Sequence, residues 1–300
     1  MSDRGELVSQ VLFTAERLGL TDIDPVILSE GGNLIIHLAP HAITARVAVV
    51  LSEKDAKLAH EILERELQVA GHLHNHGVPV LLPILNAGPH RVGRKWATFW
   101  QYAPPAPMEP LKPREAVELV NGLTLAMSDF TACTIPVLGI WERAYEAAAR
   151  LIEQTDPRIQ SLLDIFWETD NQMRMLKREC LIPVHGDAHA RNLLPSPEGW
   201  KWNDFEDVSY MPAYWDLASY VGNLVLFGGF QEPTYAYLMS RSEIIADQPA
   251  FVFALTARTL VATVSNLDLA LAGDGDLAFA FKQLELAEPF LSQIKRSLKP

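Results

Sequence analysis

Three hundred residues, 49% of them hydrophobic and 21% charged, describe a globular chain with room for one large domain or two ordinary ones. Lys and Arg number 25 against 37 Asp and Glu, a formal net charge of −12, which argues against an extended nucleic-acid backbone as partner. A cationic small molecule would suit that field, and the two cysteines, Cys133 and Cys180, lack metal-ligand spacing and fit plain buried thiols in a reducing cytoplasm.

The N-terminus, Met1 to Glu6, lacks the basic-then-apolar layout of a signal peptide. Leu7, Val8, Val11, Leu12, Ala15 and Leu18 then recur at helical spacing before Gly19, which predicts an amphipathic packing helix with a glycine cap. Ile27 and Leu28, then Glu30 to Asn33, then Leu34 to Ile36 read as strand, turn and strand. Gly31 and Gly32 in that turn serve either a backbone that needs positive φ or a glycine turn lying over nucleotide phosphates. Ala42 to Leu51 is rich in β-branched residues and predicts a strand with Arg46 in its middle.

From Asp55 to about Asn75 the apolar side of a helix is formed by Leu58, Ile62, Leu63, Leu67, Val69, Ala70 and Leu73. Glu61, Glu64 and Glu66 on this helix are candidate partners for Arg46, and Glu66, twenty residues after it, is the preferred one. His72, His74 and His76 do not share one helical face and have no Cys or acid to complete a tetrahedron, so they are expected to meet the dipole at the helix C-terminus. Gly77 to Val80 turn the chain into strands around Leu81 to Leu85 and Trp96 to Tyr102. Ala103 to Pro107 is a stiff, proline-rich connector, and the domain boundary is placed there, between 1–103 and 104–300.

After the connector the pattern is mostly helical, from Arg114 to Phe130, Gly139 to Thr155, Ile159 to Cys180, and again after Asp216. The apolar stretches Tyr220 to Phe230 and Phe251 to Ala272 are interrupted by Asn223, Arg258, Asn266 and Asp268, so they read as core helices and no membrane partner is expected. No internal repeat or low-complexity tract is visible.

Between Val184 and Glu206 lies the segment that carries chemistry. Asp187 and Asn192 are five residues apart on a tight loop after the apolar run Leu181 to Val184, and Asp204 follows twelve residues later across a short hairpin. A carboxylate, an amide and a second carboxylate round one space are what phosphoryl transfer requires, one group to take the proton of an attacking hydroxyl and others to hold Mg²⁺ against phosphates. Protein kinases use HRDxxxxN followed by DFG; here the letters are HGDxxxxN followed by DFE. A strand cation paired with a helix carboxylate, as Arg46 with Glu66, would grip the phosphates.

His185 to Asn192 with Asp204 to Glu206, then Pro212 and Asp216 to Ala218, resembles the aminoglycoside phosphotransferase and choline kinase superfamily. The glycine turn, strand cation, helix Glu, GVPV turn and proline-containing hinge stand in the same order, so the resemblance covers most of the chain. It implies an α+β, protein-kinase-like two-lobe fold, with a small N-lobe of antiparallel sheet and a helix and a larger, mostly helical C-lobe. It also implies transfer of the ATP γ-phosphoryl group to the hydroxyl of a small molecule bound between the lobes. Carried over, Asp187 is the base, Asn192 and Asp204 hold Mg²⁺, Arg46 and Glu66 grip phosphate, and Gln101 and Ala103 offer backbone groups to adenine. His185 and Asp216 brace the catalytic loop, or are plainly a buried hydrogen-bonded His and a helix N-cap Asp, and Glu206 and Asp207 face the substrate side, where they would attract a cation, or are solvated acids. The chain departs from the pattern in having Arg as the strand cation and a short glycine turn without GxGxxG.

Two other readings stand beside this one. His185, Asp187 and His189 form an HxDxH string that could serve a metal-dependent hydrolase, although this leaves Asn192 and Asp204 idle. A catalytically inactive kinase-like binding protein is the other. The acceptor is open: aminoglycosides, choline or ethanolamine, sugars, homoserine and methylthioribose are used in the wider superfamily. Trp200, Trp202, Tyr210, Tyr214 and Trp215 are either core aromatics or a cage for a quaternary ammonium.

Overall fold

The computed structural model describes residues 3–131 and 134–297, so Cys133 lies outside the described residues. The chain divides into two compact units. One comprises Met1–Glu109, Phe130–Thr134 and Arg191–Glu206, and the other Pro110–Asp129, Ile135–Ala190 and Asp207–Pro300.

In the first unit, α1 (Asp3–Arg17) packs beside a five-stranded antiparallel sheet with strand order β1 (Asp24–Glu30), β2 (Asn33–Ala39), β3 (Ile43–Ala48), β5 (Lys95–Gln101), β4 (His90–Val92). Alternation along β2 turns Leu34, Ile36 and Leu38 inward, where they meet Leu7, Val11 and Ala15 of α1 and Val47 and Phe99 of the neighbouring strands. β3 stops at Ala48, three residues before the strand expected from its β-branched run, because Val49 and Val50 turn into a short helix, α2 (Val49–Lys54). Their N–H groups both donate to the Gly32 carbonyl at 3.1 Å, which satisfies two of the donors a helix start leaves open. Asp55 caps the next helix, α3 (Ala56–Asn75), accepting from Lys57 N and Leu58 N at 3.0 Å each.

Two sequence expectations in this unit are corrected. Leu81 to Leu85 forms no strand; Pro79 and Pro83 remove ladder donors, and only isolated bridges tie Val80 to Trp202 and Pro83 to Trp100. The unit also extends past residue 103 and takes in the hairpin of β7 (Leu193–Ser196) and β8 (Gly199–Trp202), which had been assigned to the C-terminal half. Hydrogen bonds explain it: Leu81 N donates to Trp202 O at 2.8 Å and Trp202 N to Pro79 O at 2.9 Å. The histidines at the end of α3 behave as expected of a helix terminus, with His76 N and Nδ1 both on the His72 carbonyl.

The second unit holds α4 (Pro113–Met127), α5 (Gly139–Arg150), α6 (Pro157–Arg174), α7 (Trp215–Gly228), α8 (Pro233–Met239), α9 (Gln248–Leu271) and α10 (Leu277–Ser297). It also holds one small antiparallel pair, β6 (Leu181–Val184) with β9 (Ser209–Pro212). By length and composition α9 could cross a membrane, but most of it is buried against α5, α7 and α10 as a core helix. α6 ends at Arg174, short of the predicted Cys180, which sits in a separate 3-10 turn with an exposed thiol rather than a buried one.

The first unit's core predicts its own weak point. Phe99 of β5 is fully buried in the core shared by the sheet and α1, so Phe99→Ala should lower unfolding stability by about 3–5 kcal/mol in urea titration.

Candidate active site

β6 delivers the loop His185 to Asn192, and its first turn is fixed from below. The N–H groups of His185 and Gly186 both donate to the carboxylate of Asp216, at 3.0 and 2.9 Å, and Trp215 Nε1 donates to the Gly186 carbonyl at 2.8 Å. Asp216 lies in the first turn of α7 and is not its N-cap, which is Tyr214 in the left-handed region. It is wholly buried. Burial pushes its proton affinity up, against the pull of His185, the two N–H donors and Arg258. Gly186 is required here: its φ is +93°, and a Cβ would stand 2.2 Å from the Asp207 carbonyl oxygen.

Asp187 follows, with its N–H 3.4 Å from Nδ1 of the buried His185. Its own carboxylate is held at both oxygens. Arg258 Nη2 from α9 donates to Oδ1 at 2.7 Å, and His189 Nε2 stands 3.3 Å from Oδ2. Burial alone would raise the proton affinity of Asp187; the hydrogen bond from His189 and the charges of Arg258, His189 and His185 more than reverse it, holding the group well below the usual carboxylate range.

In the first unit the β7–β8 hairpin carries a separate group of polar side chains. Leu193 pairs with Trp202, so Asn192 and Asn203 face each other at its open end, where Asn203 N and Nδ2 both donate to the Asn192 carbonyl at 3.1 and 2.9 Å. Asp204, at φ +65°, is thereby next to Asn192 in space although twelve residues away in sequence. An amide and a carboxylate carried on one end of a hairpin are the oxygen donors that a Mg²⁺ ion takes. Arg46, buried on β3, reaches Asp204: Nη1 binds Glu66 of α3, and Nη2 lies 3.2 Å from Asp204 Oδ1 and 2.6 Å from Glu206 Oε2. Burial works against the charge on Arg46, but Glu66, Glu206 and Asp204 outweigh it and raise its proton affinity further. At Glu66 burial wins over Arg46, helped by the negative neighbours Asp204 and Glu206, and the carboxyl is pushed up to about 8.

A cavity of about 620 Å³ opens on this cluster, within the range of small-ligand sites. Its lining includes Arg46, Glu66, Asp204, Gly31, Gly32, Gln101 and Ala103, so seven of the sequence-predicted residues share one space. Neither Gly31 nor Gly32 has positive φ, and a Cβ on either would meet nothing within 4 Å. The turn therefore does not need glycine for its own conformation, which removes one of the two readings of these residues. The N–H of Gln101 is already given to Leu82 O at 2.8 Å, whereas that of Ala103 donates to no acceptor among the described residues. Leu28, Ile35, Leu81 and Leu194 supply an apolar lining, which the sequence did not mark as site residues.

Glu206 and Asp207 do not stand as free acids. Glu206 is on Arg46 and within 3.5 Å of Asn33 Nδ2, and Asp207 is paired with Arg143. Three of the five aromatics are taken up by packing. Trp202 and Trp215 are fully buried in different units, and Tyr210 carries the Arg178 guanidinium 3.3 Å above its ring. Among the described residues no group of three or more His, Cys, Asp or Glu is arranged to hold a metal, which leaves the HxDxH string without a metal site. Arg258 was missed as a site residue; its signal was a lone cation inside an apolar helix.

Two outcomes follow from this geometry. Asp216→Ala leaves two buried N–H groups without an acceptor and should cost about 3 kcal/mol or more, read by thermal or urea unfolding. Asp187 has a depressed folded value, so its charge contributes stability above its ordinary value of 3.8 and loses it as pH falls below. The stability margin of the native protein over Asp187→Asn should accordingly be constant from about pH 7 to 5 and shrink below about pH 4 in urea titrations.

Comparison with known proteins bears on the fold and the family. A sequence profile described as the phosphotransferase enzyme family matches residues 41–250. No curated protein sequence matches the chain. Among solved structures, an amicoumacin kinase in complex with AMP-PNP, Ca²⁺ and its ligand is similar at a TM-score of 0.69 and 12% identity, over 98% of this chain and 96% of that one. A choline kinase from Streptococcus pneumoniae is similar at 0.68 and 13%, over 95% and 99%. The GDP complex of aminoglycoside 2'-phosphotransferase-IIIa is similar at 0.63 and 16%, again over 95% and 99%. The fold is kinase-like, and the chain belongs to the phosphotransferase enzyme family.

Proposed function

We propose that the protein is a small-molecule kinase that transfers the γ-phosphoryl group of ATP to an acceptor hydroxyl. The observation that carries this reading is the meeting of Arg46, Glu66 and Asp204 at the wall of one 620 Å³ cavity with an unused donor at Ala103. In this reading adenine takes the Ala103 N–H and lies among Leu28, Ile35, Leu81 and Leu194, and Arg46, kept charged by its carboxylates, receives phosphate oxygens. Open space over Gly31 and Gly32 leaves their backbone accessible to the phosphates. Asn192 and Asp204 hold Mg²⁺, which when bound neutralises charge on the phosphates and orients them.

Asp187 receives the acceptor hydroxyl as a hydrogen bond. The hydroxyl oxygen attacks the γ-phosphorus, the bond from that phosphorus to the β,γ-bridging oxygen breaks, and ADP leaves. A carboxylate held so far below its usual range is a weak base towards an intact alcohol. Its task is to orient the hydroxyl and to accept the proton late, once bonding to phosphorus has acidified it, in keeping with a loose transition state.

The acceptor class is a hydroxyl-bearing small molecule. The two acids expected to attract a cation are already paired, so a cationic acceptor draws its support only from the overall charge of −12.

ADP release should be measured with Mg²⁺ and ATP across amino sugars, plain sugars, choline, ethanolamine and other hydroxyl metabolites. Turnover of at least one acceptor is expected, lowered about 10²–10⁴-fold in Asp187→Asn with nucleotide binding retained, and abolished in Asp204→Ala. Calorimetry should show weakened ATP binding in Arg46→Ala. Absence of both ATP binding and ADP release would overturn the reading in favour of a non-catalytic binding protein.

A further inference from the structure

Arg258 is the one charged residue among the buried positions described for α9, whose other inward residues are apolar, alanine or threonine. A cation is costly at such a place unless a partner repays its lost hydration. Its guanidinium spends Nη2 on Asp187 Oδ1 at 2.7 Å and lies over the Trp215 ring at 5.6 Å, while its Nε is buried with no hydrogen-bond partner among the described residues. The side chain is thus built around a single strong contact, and that contact is to the carboxylate read above as the catalytic base. His189 approaches the other oxygen of Asp187 at 3.3 Å. With Arg258 on one oxygen and His189 against the other, the orientation of the Asp187 carboxylate is held from two sides.

We propose that Arg258 is the positioning residue for the phosphoryl-transfer base: by holding Oδ1 from α9, it fixes the Asp187 carboxylate in the orientation that receives the acceptor hydroxyl. This rests on the reading of Asp187 as the base. The charged and titratable groups facing Asp187 are Arg258 from α9, His185 and His189 from its own loop, and, behind the loop, Asp216 from α7. Arg258 is the permanent cation among them, so its removal withdraws both the geometric hold and a standing positive charge.

The test compares the wild type with Arg258→Gln, Arg258→Lys and the double variant Arg258→Gln with Asp187→Asn, each checked for cooperative unfolding. Arg258→Gln should lower kcat about 10²-fold, with the KM for ATP within about twofold of wild type, because a misplaced base costs rate rather than nucleotide affinity. Its kcat/KM profile should gain an acid limb at higher pH than the wild type shows. Arg258→Lys, which restores charge without the fork, should recover about tenfold of that loss. In the Asp187→Asn background Arg258→Gln should have no further effect on the residual rate.

Unchanged kcat in Arg258→Gln, or a full additional loss in the double variant, overturns the role of Arg258 while leaving the kinase reading standing. If the Gln variant does not fold, Arg258→Lys decides alone: wild-type kcat and an unshifted pH profile overturn the proposal. A wild type with no Mg²⁺-dependent ADP release on any acceptor overturns the kinase reading, and the proposal falls with it.

Discussion

One buried carboxylate sets the geometry of the reactive loop. Asp216 has no exposed surface, and it accepts the two N–H groups that a chain turning out of β6 would otherwise leave without partners. Because the acceptor sits in the first turn of α7, the loop takes its position from a helix packed into the core of its unit. The Trp215 indole on the Gly186 carbonyl and the tight approach of Asp207 to Gly186 fix the same peptide from its other sides. The side chain of the next residue, Asp187, then has few freedoms left, and Arg258 and His189 remove those.

The first unit uses a different device, in which one cation organises several acids. Three carboxylates gather round the guanidinium of Arg46, an excess of negative charge at the wall of a cavity. An arginine suits this better than a lysine, since its fork lets Nη1 serve Glu66 while Nη2 serves Asp204 and Glu206. Burial raises the proton affinity of Glu66, and the negative neighbours Asp204 and Glu206 add to it.

Much of this was legible from residue order. Arg46, Glu66 and Asp204, each a polar residue standing out against its neighbours in sequence, line one cavity of the first unit together with Ala103, and Asp187 lies on a braced loop of the second. What was not legible depends on long-range hydrogen bonds. Val49 and Val50 favour a strand by composition, yet the Gly32 carbonyl from the neighbouring turn starts a helix there. The hairpin at 193–202 joins the sheet-bearing unit through the Pro79 to Leu81 backbone, which no local pattern announces. Glu206 looked like a solvent-side acid, and only the fork of Arg46 explains where it goes. Arg258 was seen as an interruption in an apolar segment, and its meaning required knowing which side of α9 faces Asp187.

The choice of arginine at position 46 carries a practical corollary for chemical labelling. Electrophiles that tag nucleotide sites by acylating a primary amine need a lysine within the pocket, and the lining of this cavity contains none. A guanidinium stays protonated and is a poor nucleophile, so the protein should pass silently through any profiling method that detects kinases by amine acylation.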